Sequence, residues 1–281
     1  MSYCLMFPGQ GTQFPGMGKG LNLDDAIGPE LLALMMNGPG GKLDRTINAQ
    51  PAVLASSIAL WDASDLPLPD IVMGHSLGEY TALVAAGAIS LKDAISLVKS
   101  RASFMEEAQP RHTTGMAAVI GLPLNKVEEA ILDADDVWVA NINCRDQVVI
   151  SGKLSSIDKT IPKLKSLGAR RITQLKVSIA SHCPLMEVAA AKLTDRLKSI
   201  DIKKPGCPVI FNTTARPEAD PDKIRQLLAR QLVAPVRWEA CVKGVVFMGI
   251  NEFIEIGPKS VLAPLVKKIA KDVNVKVKTL K

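Results

Sequence analysis

The chain has 281 residues, of which 47% are hydrophobic and 22% are charged, and its net charge is +6 at neutral pH. A chain of this length and composition can bury a substantial core, so extensive disorder is excluded. We see no signal peptide and no apolar run near the roughly 20 residues that span a bilayer. We therefore expect a cytoplasmic protein that binds no membrane. The sequence also lacks nucleic-acid-binding motifs, so nucleic acid is not an expected partner.

The five cysteines and three histidines are scattered along the chain. No pair of cysteines has the spacing of a zinc site or a redox motif, and three histidines are few for a histidine-built metal site. We predict reduced cysteines, most of them in the core, and no metal site.

The first part of the chain alternates strand-like and helix-like patterns. A short apolar run leads straight into the glycine-rich turn at 8–13. Pro51 is predicted to lie in the first turn of its helix, where its missing N–H would have no partner anyway. The predicted elements are a strand over 4–7, a helix over 49–61, a strand over 69–74, and helices over 77–86 and 91–108.

From residue 115 the pattern becomes β-α-β-β-α-β, the order of a ferredoxin-like unit. We interpret residues 115–177 as a ferredoxin-like subdomain inserted into a larger α/β domain formed by residues 1–114 and 178–281. The insert is predicted to hold strands over 116–120, 137–141, 147–151 and 171–177, and helices over 124–132 and 155–167. The rest is predicted to hold helices over 185–200, 222–232, 240–247 and 259–270, and strands over 209–212 and 252–256.

The segment Gly74-His75-Ser76-Leu77-Gly78 lies between a predicted buried strand and an alanine-rich helix, the context of a nucleophile elbow. A serine on so tight a turn needs small neighbours, and the N–H groups at the helix start stabilise a developing negative charge. The alternative is a chance occurrence of the pattern in a glycine-rich loop. The context favours Ser76 as a nucleophile, the backbone N–H of Leu77 as an oxyanion donor, and an α/β-hydrolase-like subdomain with a parallel sheet.

A serine hydroxyl needs a base to become a good nucleophile. His75 lies inside the elbow and is expected to point away from the hydroxyl, and His112 lies in a polar loop. His182 joins the insert to the following helix and can line a cleft, although a structural role explains it equally well. The second oxyanion donor is expected from the turn around Gln10. That turn is alternatively a phosphate cradle, but it lacks the lysine of a P-loop.

Six blocks occur in one order along essentially the whole chain: Phe7–Gln13, Gly74–Tyr80, Arg101 with Phe104-Met105, Gln147–Gly152, Ser181-His182 and Glu255–Pro258. Together they resemble the malonyl-CoA:acyl carrier protein transacylase family, whose members serve fatty acid and polyketide synthesis. Six ordered blocks are far more specific than any one motif.

The resemblance implies an enzyme that transfers malonyl from malonyl-CoA to the phosphopantetheine thiol of an acyl carrier protein. The transfer would pass through an ester of Ser76, which predicts ping-pong kinetics. Coenzyme A thioester is then a substrate, and no bound cofactor is expected. The implied roles are His182 as base, the backbone carbonyl of Gln231 as its orienting group, the backbone amides of Gln10 and Leu77 as the oxyanion hole, Arg101 as the malonyl carboxylate partner, and Gln50, Asn143 and Gln147 as pocket residues.

Several alternatives stay open. Without the resemblance, Arg101 would be interpreted as a surface arginine. Ser181 precedes His182, and serine there accompanies substituted malonyl extenders in polyketide acyltransferases but malonyl in free-standing enzymes. A hydrolase of the same fold would use Ser76 and His182 without needing Arg101, and a non-catalytic docking module would need none of them. The stretch Cys144-Arg145-Asp146 departs from the family pattern, so the pocket wall is expected to differ.

The basic residues Lys153, Arg170 and Arg171 of the insert suggest a docking surface for an acidic carrier protein. The last fifteen residues form a second basic segment, which is either a solvated helix face with a frayed tail or an attraction for an acidic partner or phosphates. Its lysines are Lys267, Lys268, Lys271, Lys276, Lys278 and Lys281.

Overall fold

A computed structural model describes residues 2–23, 27–110, 113–175, 177 and 179–280 of the chain. His112, considered above as a base, lies outside the described residues. Ten strands are present in the described part of the chain. They are β1 (Cys4–Phe7), β2 (Ile71–Gly74), β3 (Thr114–Ile120), β4 (Val137–Cys144), β5 (Gln147–Lys153), β6 (Arg171–Gln174), β7 (Val209–Phe211), β8 (Arg216–Glu218), β9 (Glu252–Ile256) and β10 (Lys276–Leu280).

The helices surround these strands. They are α1 (Pro29–Asn37), α2 (Gly40–Leu43), α3 (Thr46–Asp62), α4 (Gly78–Ala85), α5 (Leu91–Glu107), α6 (Leu124–Ile131), α7 (Leu154–Ser166), α8 (Glu187–Leu197), α9 (Pro221–Arg230), α10 (Trp238–Phe247) and α11 (Ala263–Ile269). Short 3₁₀ turns cover Pro184–Met186 and Gln231–Val233. None of the helices in the described ranges is long and apolar enough to cross a bilayer.

The larger sheet has the strand order β10-β9-β1-β2-β7-β8, and only the β7–β8 pair is antiparallel. Strand β1 shows why it lies at the centre. Leu5 and Phe7 pack into the core on one face, while Cys4 and Met6 pack into a second core on the other. A parallel strand covered on both faces has no polar side, which explains the unbroken apolar run.

The smaller sheet is antiparallel, with the strand order β4-β5-β3-β6. Its own hydrophobic core lies between the sheet and helices α6 and α7, and Val127, Ile157 and Leu164 are among its buried residues. The β-α-β-β-α-β order predicted for residues 115–177 is the order found. The fold is therefore α/β, with a mostly parallel sheet and a second, antiparallel sheet.

Two backbone hydrogen bonds connect the smaller sheet to the larger unit. The amide of Ile142 in β4 donates to the carbonyl of Val236, 2.8 Å away, and the amide of Val236 donates to the carbonyl of Ala140 at 2.8 Å. Val236 lies two residues before α10, which packs on the larger sheet. The end of β4 is thereby held against the larger unit, close to the turn that follows β2.

One expectation about local structure is wrong, and the frayed tail considered as one alternative for the C-terminal segment is excluded. Helix α3 begins at Thr46 rather than at residue 49, so Pro51 lies in its second turn and leaves the carbonyl of Ile47 without a helical N–H partner. The C-terminal segment is not a frayed tail, because β10 pairs with β9 along its whole length. Lys278 forms an ion pair with Glu252 at 2.5 Å, so the strand also neutralises part of the basic segment.

Candidate active site

Ser76 occupies a strained turn between β2 and α4, with a φ of 52°. A Cβ atom on Gly74 would lie 1.9 Å from the carbonyl carbon of Gly78, and a Cβ on Gly78 would lie 2.2 Å from the carbonyl oxygen of Phe7. Both positions therefore accept only glycine. The backbone is packed so tightly here that the serine side chain projects away from the sheet, as the elbow pattern requires.

Asn212 holds this turn from the neighbouring strand. Its Oδ1 accepts a hydrogen bond from the Ser76 amide at 2.7 Å, and its Nδ2 donates to the Gly74 carbonyl at 2.7 Å. Asn212 directly follows β7, which pairs with β2. Because the carboxyl ends of parallel strands meet at one edge of a sheet, a polar residue there reaches the turn.

His182 contacts the Ser76 hydroxyl, with 2.8 Å between Nε2 and Oγ. Its Nδ1 donates to the main-chain carbonyl of Gln231 at 2.8 Å, which leaves Nε2 as an acceptor. Burial, reinforced by the charge of Arg101, lowers the pKa of His182 to about 3. The imidazole is therefore neutral at physiological pH and available to take the serine proton.

Arg101 lies beside the same hydroxyl, 3.4 Å from Nη2 to the Ser76 Oγ, and is only 1% exposed. Its Nη1 donates to Gln50 Oε1 at 2.7 Å and its Nη2 to Gln231 Oε1 at 3.0 Å, while the guanidinium carbon lies 5.4 Å from the centre of the Tyr80 ring. The interpretation as a surface arginine is wrong. Within the described part of the chain, no carboxylate oxygen lies within ion-pair distance of this guanidinium.

The turn around Gln10 packs directly on the elbow, because a Cβ on Gly9 would lie 2.7 Å from the carbonyl oxygen of His75. The amides of Gln10 and Leu77 have no hydrogen-bond acceptor among the described residues. The amide of Gly11 is used internally by the Gln13 side chain at 2.8 Å. That bond removes a donor that a phosphate cradle would need.

The two remaining pocket candidates, Asn143 and Gln147, differ in whether they contact the elbow. Asn143, at the end of β4, contacts His75, with 2.9 Å between Oδ1 and Nε2, so it reaches the elbow although it lies on the smaller sheet. This contact also turns His75 away from the Ser76 hydroxyl. Gln147 begins β5 opposite Ile120 and Cys144. Among the described residues, no side-chain hydrogen bond joins Gln147 to the other site residues.

The serine before His182 and the stretch that departs from the family pattern have clear positions. The Ser181 hydroxyl donates to the sulfur of Met116 in β3 at 3.2 Å, so it is turned toward the smaller sheet. Arg145 and Asp146 form the turn between β4 and β5, where Asp146 forms an ion pair with Arg170 at 2.8 Å.

Sequence reasoning missed three contributions to the site: the side chains of Glu79, Asn212 and Gln231. Glu79 follows the elbow and is fully buried, and the Gln231 side chain lies between Glu79 and Arg101. Asn212 ends a predicted strand, and its place at the sheet edge was the signal that would have found it. No group of metal-ligating side chains is assembled anywhere in the described ranges.

The arrangement joins a serine, a neutral histidine, and, as far as the described residues show, two amides without an acceptor and a buried cation without an anionic partner. A histidine in contact with a serine hydroxyl is the arrangement of covalent acyl transfer. The cation beside it suits an acyl group that carries a negative charge of its own.

Comparison with known proteins agrees with this geometry. The acyl transferase domain profile matches residues 4–280. The chain is 40% identical over 293 residues to the malonyl CoA-acyl carrier protein transacylase of Bacillus subtilis (strain 168), covering 98% of this chain and 91% of that relative. It is also similar to the crystal structure of an acyl carrier protein S-malonyltransferase from Vibrio cholerae, with a TM-score of 0.94, 37% identity and coverage of 100% and 97% of the two chains.

A further similar structure is a malonyl-transacylase in complex with its type II PKS acyl-carrier protein, with a TM-score of 0.92, 36% identity and coverage of 99% and 95% of the two chains. Identity and coverage of this extent establish family membership and not only a shared fold. The chain belongs to the malonyl CoA-acyl carrier protein transacylase family of acyltransferases.

Proposed function

We propose that the protein transfers a malonyl group from malonyl-CoA to the phosphopantetheine thiol of an acyl carrier protein, through an ester of Ser76. The observation that carries the proposal is the buried Arg101, which lies beside the serine without an anionic partner among the described residues. Burying an unpaired cation costs several kcal/mol. The free carboxylate of a malonyl group would offset that cost, whereas a simple acyl group would not.

In the first half-reaction, His182 Nε2 removes the proton of Ser76 Oγ as that oxygen bonds to the thioester carbonyl carbon of malonyl-CoA. The resulting oxyanion would accept hydrogen bonds from the amides of Gln10 and Leu77. When the intermediate collapses, the carbon–sulfur bond breaks, the proton passes from His182 to the sulfur, and coenzyme A leaves. The Gln231 carbonyl keeps Nδ1–H in place throughout, which stabilises the imidazolium that forms.

In the second half-reaction, the carrier-protein thiol gives its proton to His182 and attacks the serine ester. Collapse of this intermediate breaks the ester bond, and the proton on His182 returns to Ser76 Oγ. The product is a malonyl thioester on the carrier protein. Two half-reactions through one covalent intermediate give ping-pong kinetics. Gln50 would hold Arg101 in place, and Asn143 would position His75 at the pocket wall. The pocket role of Gln147 rests on the family resemblance alone.

The test is the mass of the intact protein after brief mixing with malonyl-CoA or with acetyl-CoA, followed by digestion to locate any adduct. We expect a malonyl adduct on the peptide that contains Ser76, little acetyl adduct, and transfer of malonyl to a carrier-protein thiol. Release of free malonate without a thiol acceptor would favour the hydrolase. An adduct only with a substituted malonyl-CoA would favour a branched extender, and no adduct with any thioester would favour a docking module.

The rate of Ser76 acylation by malonyl-CoA should stay nearly constant as the pH falls from 7.5 to 5. The pKa of His182 is lowered to about 3, so about 99% of the imidazole remains neutral at pH 5, whereas a histidine with the ordinary pKa would be only about 3% neutral. Single-turnover acylation measured across this range checks the prediction. A rate that falls with a midpoint near pH 6.5 would contradict it.

We also propose names and boundaries for the two structural units. Parallel strands and the turn after β2 support an α/β-hydrolase-like unit, and the order β4-β5-β3-β6 supports a ferredoxin-like one. The boundary after residue 114 falls one residue inside β3. The boundary between residues 177 and 178 falls where Lys176 and Ser178 are outside the described residues. The cytoplasmic location and the lack of a bound cofactor stay predictions from the sequence.

The docking surface for the carrier protein is better supported at a cleft of about 620 Å³ than at the three cations named from the sequence. Lys153 forms an ion pair with Asp136 and Arg170 with Asp146, so their charges are partly neutralised. The cleft is lined by exposed cations with no ion-pair partner in the described chain: Arg145, Lys267, Lys268 and Lys271. Arg145 belongs to the stretch that departs from the family pattern, and its neighbour Asp146, which also lines the cleft, is paired with Arg170.

Replacing Lys267, Lys268 and Lys271 together by glutamate should raise the KM for the carrier protein about tenfold at low ionic strength, and by less at high salt. The matched control reverses Lys153, Arg170 and Arg171, for which we expect a smaller rise. The measurement is the carrier-protein KM at saturating malonyl-CoA. If both triple variants keep the wild-type KM, the carrier protein does not dock through these charges.

A further inference from the structure

The carboxyl group of Glu79 is buried next to the elbow and takes no part in the two half-reactions. Glu79 lies in the first turn of α4 and is 0% exposed. A buried carboxylate is costly unless hydrogen bonds or opposite charges stabilise it. Among the described residues, two donors reach it and both are neutral: the backbone N–H of Asn212, which contacts Oε1, and Nε2 of Gln231, 2.6 Å from Oε2.

The Gln231 amide links this carboxyl group to Arg101. Its Nε2 donates to Glu79 and also to the Ser76 carbonyl at 2.9 Å, and its Oε1 accepts from Arg101 Nη2 at 3.0 Å. One end of an amide only donates and the other only accepts, so its orientation decides which group each end can serve. In the reverse orientation the NH₂ group would face the guanidinium, with donors on both sides.

We propose that Glu79 is a positioning residue, which fixes the Gln231 amide with its oxygen toward Arg101 and thereby sets the preference for malonyl. The inference rests on the proposed function, in which Arg101 binds the malonyl carboxylate. The two Glu79 oxygens face an N–H of the Asn212 backbone and the Nε2 of Gln231. The ionised carboxyl group offers only acceptors, so it accommodates the Gln231 amide in one orientation. Gln50 holds the other arm of the guanidinium at 2.7 Å, so two amide oxygens together define its plane.

Because the Gln231 amide lies between Glu79 and Arg101, Arg101 is stabilised while its remaining N–H donors stay available for a substrate carboxylate. A carboxylate in direct contact with the guanidinium would occupy the donors that the malonyl carboxylate needs. Through the intervening amide, the ionised Glu79 still attracts Arg101. Burial raises the pKa of Glu79 to about 8 and the charge of Arg101 opposes that rise, so the carboxyl group fixes the amide most strongly above pH 8. The Arg101 Nε, which has no partner among the described side chains, adds a further free donor.

The experiment compares wild type with Glu79→Gln at pH 9, where the Glu79 carboxyl group is mostly ionised, in single-turnover acylation of Ser76 by malonyl-CoA and by acetyl-CoA. In this variant the oxygen of the new glutamine at position 79 accepts from the Asn212 backbone N–H, so its NH₂ group faces the NH₂ group of Gln231. Two donors then face each other, which favours rotation of the Gln231 amide by 180°. We expect the ratio of the malonyl to the acetyl rate constant to fall by about tenfold or more, the loss of one charge-assisted hydrogen bond. An equal fall in both rates would overturn the proposal, because it would indicate damage to the elbow alone.

Glu255→Gln is the matched control. Glu255 is also 0% exposed and accepts hydrogen bonds from backbone amides, those of Leu262 and Ala263 at 2.9 and 2.8 Å, but it serves the start of α11. We expect Glu255→Gln to lower the thermal unfolding temperature and to leave the ratio unchanged. A fall in the ratio equal to that of Glu79→Gln would overturn the proposal, since burial of any carboxylate would then suffice.

Gln231→Met provides a second variant should Glu79→Gln not fold, because it removes the amide and keeps the main-chain carbonyl for His182. We expect the same loss of preference in Gln231→Met, and no further loss when Glu79→Gln is added to it. An unchanged ratio in Gln231→Met, or full additivity in the double variant, would overturn the proposal. If wild type itself forms no malonyl adduct, the proposed function fails; if wild type prefers malonyl and Glu79→Gln does too, only the role of Glu79 fails.

Discussion

Replacing His182 by alanine should slow the acylation of Ser76 by malonyl-CoA about 10⁴- to 10⁶-fold, nearly as much as removing the serine hydroxyl itself. The reason is that Nε2 is the proton acceptor in contact with Oγ, 2.8 Å away, and the described chain offers that oxygen no other base. Groups that act as one unit show strongly non-additive losses. The double variant with Ser76→Ala should therefore be no slower than Ser76→Ala alone, as measured by the decay of malonyl-CoA.

His75→Ala is the matched control for this prediction. His75 is adjacent to the nucleophile in sequence, but its Nε2 contacts Asn143 and not the hydroxyl. We expect a loss of about tenfold or less, because only the positioning of the pocket wall changes. Comparable losses in His75→Ala and His182→Ala would contradict the assignment of His182 as the base and would indicate general damage to the elbow.

The elbow was predictable because its requirements are local. A strand, a tight turn and a helix follow one another within about fifteen residues, and the glycines report the steric limit directly. The same locality explains the success of the β-α-β-β-α-β pattern for the smaller sheet. The start of α3 was misplaced because a proline in a helix is usually a first-turn residue. Here Pro51 lies in the buried middle of the helix, where packing offsets the lost hydrogen bond.

The hydrogen-bond network behind the elbow was not predictable because its members are distant in the chain. Glu79 and Gln231 are 152 residues apart and Ser76 and Asn212 are 136 residues apart, so no local pattern relates them. Burial of Arg101 is equally invisible to composition, since arginines are rarely buried. The resemblance named Arg101 and the main-chain carbonyl of Gln231, but it did not indicate that the Gln231 side chain links Glu79 to Arg101.

Edge pairing is the other feature that needed the structure. The last fifteen residues have the composition of a solvated tail, yet Val277 pairs with Phe253 in register and the strand extends the central sheet. Exposed lysines on an edge strand discourage further pairing with other chains. The lysines of this segment have different surroundings. Lys278 forms an ion pair with Glu252, whereas Lys267 and Lys268 line the cleft.

Replacing Arg101 by alanine should reverse the acyl preference. Loss of a two-pronged hydrogen bond to the malonyl carboxylate is worth about 3 kcal/mol, so acylation by malonyl-CoA should slow roughly 100-fold. Acylation by acetyl-CoA should become faster by about tenfold, because the pocket no longer buries an unpaired cation beside a neutral acyl group. The measurement is the single-turnover rate constant of Ser76 acylation for each thioester.

Arg101→Lys separates the charge from the geometry of the guanidinium. Lysine keeps a positive charge but lacks the planar fork with which the guanidinium donates two parallel hydrogen bonds to a carboxylate. We expect malonyl acylation to fall about tenfold, between wild type and Arg101→Ala, with acetyl acylation still slow. If Arg101→Ala keeps the malonyl preference, the carboxylate is bound elsewhere. A hydrolase would keep its acetyl rate in all three proteins, so the reversal itself distinguishes a carboxylate-reading transferase from a plain thioesterase on the same fold.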